Sequence, residues 1–313
     1  MCEVCKNTLA VHTDTTNKRY DPTRTTTLRN MMVRESNRRF DLISGEVAKA
    51  VFVEDVFGLT LEVLQTPGKN AYAYMGDPQK IREFLKWLED LINRDILEIW
   101  GIPQGVNTQN WLYKYLLTSY QRGVMRAREE LRKAGYNVPT IVASGGLATV
   151  MSAPIHLDTV ALMYTRTFNE LVGATDQMKQ IISRILAEGL MNGTNPRVLA
   201  RQLVAAINGK GIGDLGLFDR LGRFIPAKRR AEIIARTEII RAHHYANIME
   251  YKSWGVYGVS VMAEFRTAGD ARVCTECAGM EGQIFTLEEV LPLIPVHPQC
   301  RCIALPIVKS KAA

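Results

Sequence analysis

Residues 270–285 read DARVCTECAGMEGQIF, and residues 295–306 read PVHPQCRCIALP. Cys274 and Cys277 form a C-x2-C pair, and Cys300 and Cys302 form a C-x-C pair after 22 intervening residues, with His297 just before it. Zinc prefers four tetrahedral thiolate or imidazole ligands. A C-x2-C turn brings two sulfurs to one side, and a second Cys/His pair then closes the site. Five candidates, Cys274, Cys277, His297, Cys300 and Cys302, compete for four positions. Cys300 and Cys302 share one ion if the chain bends there; otherwise His297 with one of the two is the better pair. A catalytic zinc keeps a position open for water. A donor set this rich in cysteine points instead to a closed, structural site that clamps a small unit with few apolar residues of its own. The alternatives are four reduced thiols that merely pack, or a disulfide formed after release from the cell.

The texture around these motifs places them. Val259, Val261, Ala263 and Phe265 alternate with other residues, as in a half-buried strand, and residues 303–308 offer a partner strand. Upstream, the period changes. Residues 228–254 form a strong helical segment in which Ile233, Thr237, Ile240, His244 and Ile248 fall on one face. His243 and His244 are adjacent and point to different faces; His244, on the apolar stripe, reads as a buried, hydrogen-bonded side chain. Asn195 and Pro196 start another helix that ends at Asn208-Gly209, and a long helix spans about residues 158–191. The glycine-rich stretch NGKGIGDLG at 208–216 follows a helix rather than a strand and has no Gly-Lys-Ser/Thr step, so it reads as a turn, not a phosphate loop.

Further toward the N-terminus the pattern stays helical. Leu28, Met32, Phe40, Ile43, Val47 and Val51 recur at helical intervals. Asp77 caps a helix over 78–100 with an apolar stripe of Ile81, Phe84, Leu85, Leu88, Leu91, Ile92 and Ile96. A third helix covers about 108–134 and stops at Gly135; its charged tail, Arg122 to Lys133, is expected to be exposed. Residues 66–76 are a turn-rich connector, and residues 137–155, with two prolines and a Ser-Gly-Gly step, are a candidate domain boundary. The expected fold is mostly α: long N-terminal helices with a small C-terminal α+β unit stabilised by zinc. The expected domains are a basic flexible arm over 1–26, a helical region over 27–150, and a domain over 151–313 that carries the zinc unit at about 255–308.

Composition narrows the classes. The chain has 313 residues, 47% hydrophobic and 23% charged, an ordinary globular balance. No run of 18 apolar residues occurs, and the N-terminus MCEVCK has no signal-peptide stretch, so the expectation is cytoplasmic synthesis and no membrane. In a cytoplasmic chain, clustered cysteines favour metal over disulfides. The net charge of +7 is a mild excess, concentrated in two places. Lys18, Arg19, Arg24, Arg29, Arg34, Arg38 and Arg39 form one cluster, and Lys228, Arg229 and Arg230 form another. Such clusters bind phosphate or an acidic partner, or are solvated helix faces. Cys2 and Cys5 make a further C-x2-C pair whose surroundings offer no second half.

Three motifs in order then give a family resemblance. ARTEIIRAHHYAN at 235–247, D-x-R-V-C-x-x-C at 270–277 and H-P-x-C-R-C at 297–302, with Gly282 between the cysteine segments, resemble the phage Mu F-like minor head (head morphogenesis) proteins. The likeness covers roughly 160–306, including LAEGLMNGTNPRVLARQLVAAI at 186–207 as a helical lead-in. Many relatives have Pro-Pro before the histidine, where this chain has Pro295-Val296; the loop changes and the ligands stay. The resemblance implies a minor capsid component of a tailed phage or prophage. It would be present in few copies, associated with the portal, and needed for head assembly or for DNA packaging and delivery. Its implied partners are the portal protein, the major capsid or scaffold protein, and double-stranded DNA. Its implied place is the capsid interior or portal vertex of the virion, after assembly in the host cytoplasm.

The motif helix has its own reading from the residues. Glu238 and Arg241, three apart, pair across one turn, and Arg236 can pair with Glu232. With Asn247 they suit a helix that docks on the zinc unit by polar contacts, without catalysis. Two other functional classes compete with the structural one. A zinc-stabilised nuclease or other DNA-processing enzyme of a mobile element would need Glu264, Asp270 and His297 to form its centre, yet no His-Asn-His order or paired acidic strand motif is present. A toxin-type transferase would need a further domain.

Overall fold

The computed structural model describes residues 21–59, 78–99, 106–209, 225–255 and 261–308. Lys18, Arg19, Cys2, Cys5, Val259, the 66–76 connector and most of the 208–216 glycine stretch lie outside these residues. The chain divides into two compact units, neither contiguous in sequence: one takes residues 1–32, 106–167 and 235–313, the other 33–105 and 168–234. The divisions fall inside the long helices α1 (Thr26–Ala48), α5 (Pro154–Met191) and α7 (Ala227–Gly255).

The first unit is built on α7 and α3 (Trp111–Lys133). Asn110 caps α3 by accepting the Leu112 amide at 2.8 Å. Gly123 on α3 permits a close approach to α7: a Cβ there would stand 2.5 Å from both the Ala246 Cβ and the His243 carbonyl oxygen. The charged tail of α3 is exposed only in part: Arg122, Glu129, Arg132 and Lys133 lie at the surface as expected, but its other charged residues do not. Arg126, Arg128 and Glu130 are buried. The reason is long-range pairing. Arg128 donates to Glu250 on α7 at 2.6 Å and to Ser144 at 2.6 Å, while Arg126 reaches the Pro22 carbonyl and lies 3.5 Å from Glu130. Buried charges persist where they are paired. Glu250 also receives Trp254 at 2.8 Å and His156 at 3.3 Å, and His156 in turn meets the Tyr120 hydroxyl at 3.0 Å. Burial pushes the Glu250 carboxyl up, but hydrogen bonds from His156 and Trp254 and the charge of Arg128 outweigh it and hold it below the usual range.

After α7 come β1 (Val261–Arg266), α8 (Thr275–Gly279), β2 (Ile284–Phe285), α9 (Leu287–Leu293) and β3 (Ile303–Val308). The strands form an antiparallel sheet in the order β2-β1-β3, with Ala263 opposite Phe285 on one side and Pro306 on the other. Thr286 and Glu289 make a reciprocal capping box that starts α9. The core under this sheet joins Leu131 of α3, Ile240, Ile248 and Tyr251 of α7, Phe265 of β1 and Val290 of α9, and it includes Cys277, Cys300 and Cys302.

In the second unit, α2 (Pro78–Ile92) and α6 (Pro196–Asn208) are the complete helices. Of the stripe expected on α2, Phe84, Leu88, Leu91, Ile92 and Ile96 are buried, the last in a π-helical turn over Asn93–Leu97 that continues the helix. Asn195 caps α6 by accepting the Arg197 amide, and Gly209 closes it with a positive φ, where a Cβ would strike Pro226 at 2.3 Å. A hollow of about 930 Å³ between α1 and α6 is lined by Ala48, Phe52, Arg197, Ala200 and Val204 and holds no cysteine or histidine.

Candidate metal centre

The two cysteine segments meet at one end of the small sheet, where Arg266 at the end of β1 lies opposite Ile303 at the start of β3. Cys274 is the residue just before α8, and the amide of Cys277, one turn into that helix, points at its sulfur at 3.4 Å. The tight turn therefore brings both thiols to the same side. His297, Cys300 and Cys302 come from the irregular stretch between α9 and β3. The Cys300 amide closes a turn on the His297 carbonyl at 3.1 Å, with Gln299 in the left-handed region at φ 63°.

The donors form two overlapping groups, Cys274, Cys277 and His297, and Cys277, Cys300 and Cys302; within each, the ligand atoms lie within 4.8 Å of one another. Two sulfurs each ~2.3 Å from one tetrahedral ion stand about 3.8 Å apart, so these groups have the spacing that metal binding requires. Cys277 belongs to both groups, and its Sγ is 3.3 Å from His297 Nε2. The bend needed for Cys300 and Cys302 to converge is present, since β3 starts only at Ile303. On a straight strand distance is the obstacle rather than side: residues two apart share a face but stand ~6.6 Å apart along it. All five residues singled out from the sequence therefore meet, and the cluster could hold a metal ion.

Electrostatics suits the same use. Burial pushes the Cys277 thiol up to about 12. The hydrogen bond from Cys302, backed by backbone amides of Cys302 and Val296, brings Cys300 down to about 5, while that same hydrogen bond and burial raise Cys302. The Cys277 amide lowers Cys274. Burial works against a charged His297, but the Pro298 carbonyl and the neighbouring Cys300 and Cys274 leave its pKa raised. A sulfur-rich pocket that holds one ready thiolate and other thiols short of counter-charge is suited to a soft divalent cation, which takes up the negative charge as protons leave. His297 Nδ1 lies 2.9 Å from the Pro298 carbonyl, which places the ring proton on Nδ1 and leaves the Nε2 lone pair facing the thiols.

The motif helix α7 frames this centre, through residues the sequence had not singled out for that purpose. The Thr237 hydroxyl accepts the Gln299 amide at 3.0 Å and so fixes the turn between His297 and Cys300. His244 Nε2 donates to the Val290 carbonyl of α9 at 3.0 Å, which is the buried, hydrogen-bonded role expected of it. Glu238 and Arg241 pair at 3.0 Å as expected, but Glu238 is buried, with Thr167 at 3.4 Å. Asn247 lies 3.4 Å from His243, and the Arg236 Nε is buried without a partner. Asp270 receives the Arg301 guanidinium in two bonds of 2.5 and 2.7 Å and Arg272 in bonds of 2.7 and 3.2 Å. Hydrogen bonds from Arg301 hold its carboxyl well below the usual carboxylate range. The sequence signal for this pair was an acid four residues before Cys274 and an arginine between Cys300 and Cys302.

The basic residues do not gather with the cysteines. Arg29 is buried on Asp21 at 2.9 Å, and Arg24 lies 3.9 Å from Glu129. Arg38 and Arg39 both bind Glu35, and Arg39 also binds Glu98. Lys228 meets Asp41 at 2.7 Å and Arg229 meets Glu232 at 2.5 Å. Arg34 is exposed, and burial lowers the pKa of the half-buried Arg230.

No curated protein and no solved structure gives a match to this chain. Residues 180–305 match the family described as phage Mu protein F like protein, a stretch that takes in α6, α7, β1, β2, the first half of β3 and all five donors. Over those residues the chain is similar to the phage Mu F-like proteins.

Proposed function

We propose that this chain is a minor head protein of a tailed phage or prophage, seated at the portal vertex or inside the capsid, that acts in head assembly or in DNA packaging and delivery. The observation that carries the reading is the Mu F-like match over 180–305, which coincides with the cysteine–histidine centre and its framing helix. The protein assembles in the host cytoplasm, and its first partner is the portal protein, with the major capsid or scaffold protein and double-stranded DNA as further partners. No helix among the described residues is long and apolar enough to cross a membrane. Exposed Arg34, together with Lys18, Arg19 and the exposed ion pairs of Arg38, Lys228 and Arg229, supports contact with an acidic surface or with DNA phosphates.

In this reading the metal is zinc and its work is structural. Four of Cys274, Cys277, His297, Cys300 and Cys302 hold it, and it supplies a cross-link between the α8 turn and the approach to β3. The buried sulfurs and the absence of catalysis go together: a set with more donors than zinc has positions leaves no room for a reacting water. The test is the composition of particles. Mass spectrometry of purified virions, with cross-linking, should find a few copies per head joined to the portal. Particles that are complete and infectious without the chain would overturn the proposal.

A further inference from the structure

We propose that Asp270 and Arg301 are positioning residues of the metal centre: their ion pair holds the two donor segments in register and slows loss of the metal. The inference rests on the metal reading above and adds a role for side chains that donate nothing to the ion. Arg301 stands between Cys300 and Cys302, so any rotation of that residue moves both thiols. Asp270 stands four residues before Cys274 and closes the turn that leads into α8, through its bonds to the Arg272 amide at 3.1 Å and side chain at 2.7 Å.

The two carboxylate oxygens each take one guanidinium nitrogen of Arg301, at 2.5 and 2.7 Å. A two-bond fork fixes orientation as well as distance. Both side chains are largely covered, at 17% and 16% exposure, so water competes little for the pair. Besides this tie, the donor segments are joined by the β1–β3 pairing that sets Arg266 opposite Ile303, by the Cys277–His297 contact and by the 22-residue excursion over β2 and α9. The ion pair adds a link across the same gap that the ion spans, immediately beside the thiols. Groups that orient ligands typically contribute 10- to 100-fold to metal affinity.

The experiment uses the full chain loaded with zinc and follows transfer of the metal to a chromogenic chelator. Wild type is compared with Arg301→Met, Asp270→Asn, Arg301→Lys and the swapped pair Asp270→Arg with Arg301→Asp. Metal content before chelator should be unchanged at one ion per chain. Release should quicken at least 10-fold in Arg301→Met and Asp270→Asn, less in the swapped pair, and Arg301→Lys should behave like Arg301→Met because a single ammonium cannot form the fork. Circular dichroism checks that each variant is folded, and Arg122→Ala, at an exposed position on α3 outside this ion pair, serves as the control that leaves release within about twofold. Folded, loaded variants with wild-type release rates would overturn this inference alone. Wild type that carries no metal would overturn the metal reading, and this inference with it.

Discussion

The basic stretch along α1 and the cluster of thiols beside β3 are both concentrations of one kind of chemistry, and they are treated in opposite ways. On α1 the cations are answered by carboxylates: Glu35, one turn away, takes Arg38 and Arg39, Asp21 just before the helix takes Arg29, and the distant Glu98 takes Arg39 again. At the thiols Cys277, Cys300 and Cys302 there is no such answer. They stand in an apolar core at 1–3% exposure, and their mutual hydrogen bonds, two backbone amides and His297 are what offset burial. A helix can satisfy a charge with its own neighbour one turn away. Three buried thiols cannot satisfy one another, and that deficit is what a divalent cation removes.

The comparison can be broken most decisively at Cys277, the donor common to both groups. Cys277→Ser, or chelation of the wild type, should lower the melting temperature by on the order of 10 °C, as expected for loss of a structural metal from a small unit. Scanning calorimetry with and without chelator reads this, and equal melting temperatures in the two conditions would remove the metal from the account. Next in size is Glu250→Gln, which tests a buried charge that is answered at long range. It strands Arg128 and should cost about 3–5 kcal/mol in urea unfolding; a loss below about 1 kcal/mol would place that pair with the surface pairs.

The buried histidines of α7 give a pH dependence of intermediate size. Burial lowers His243 to about 3 and His244 to about 4. Their folded values lie below the unfolded one, so between about pH 6.5 and pH 4 the unfolded chain holds more protons, and stability falls as pH falls. At about 1.4 kcal/mol per pKa unit, His244 alone removes up to about 3 kcal/mol by pH 4. His244→Gln should flatten the stability profile over that window relative to wild type, and parallel profiles would contradict the assignment. The smallest effect belongs to the exposed pairs. Arg38→Ala and Lys228→Ala should each change stability by less than about 1 kcal/mol, which leaves their side chains available for a partner. A salt-dependent loss of DNA or portal binding in the same variants would sharpen that contrast.

Much of this was legible in the sequence because it is local. The stripe from Leu28 to Val51 is buried throughout, Asn195 and Gly209 bound α6 as their types suggest, and the five donors converge. What escaped was decided by residues far away in the chain. Arg126, Arg128 and Glu130 looked like a solvated helix end, and the carboxylate that buries Arg128 lies 122 residues further on. Thr237 looked like a position on an apolar stripe, yet its hydroxyl holds the Gln299 amide; His244 is buried and hydrogen-bonded as expected, but its partner, the Val290 carbonyl of α9, could not be read from local sequence. The apolar stripe of α7 understates how much of that helix is buried, for a related reason. Glu238, His243, His244, Asn247 and Glu250 are all buried, so the helix is covered on several sides and polar residues are part of its packing.

The claim at the centre of this account is that the thiols and His297 hold a metal. The measurement that tests it most directly is metal content of the purified full-length chain by mass spectrometry, with thiol titration before and after chelation. The account predicts one zinc per chain, and thiols of the centre that react only once the chelator has acted. Metal-free protein, folded and with those thiols freely reactive from the start, would contradict it.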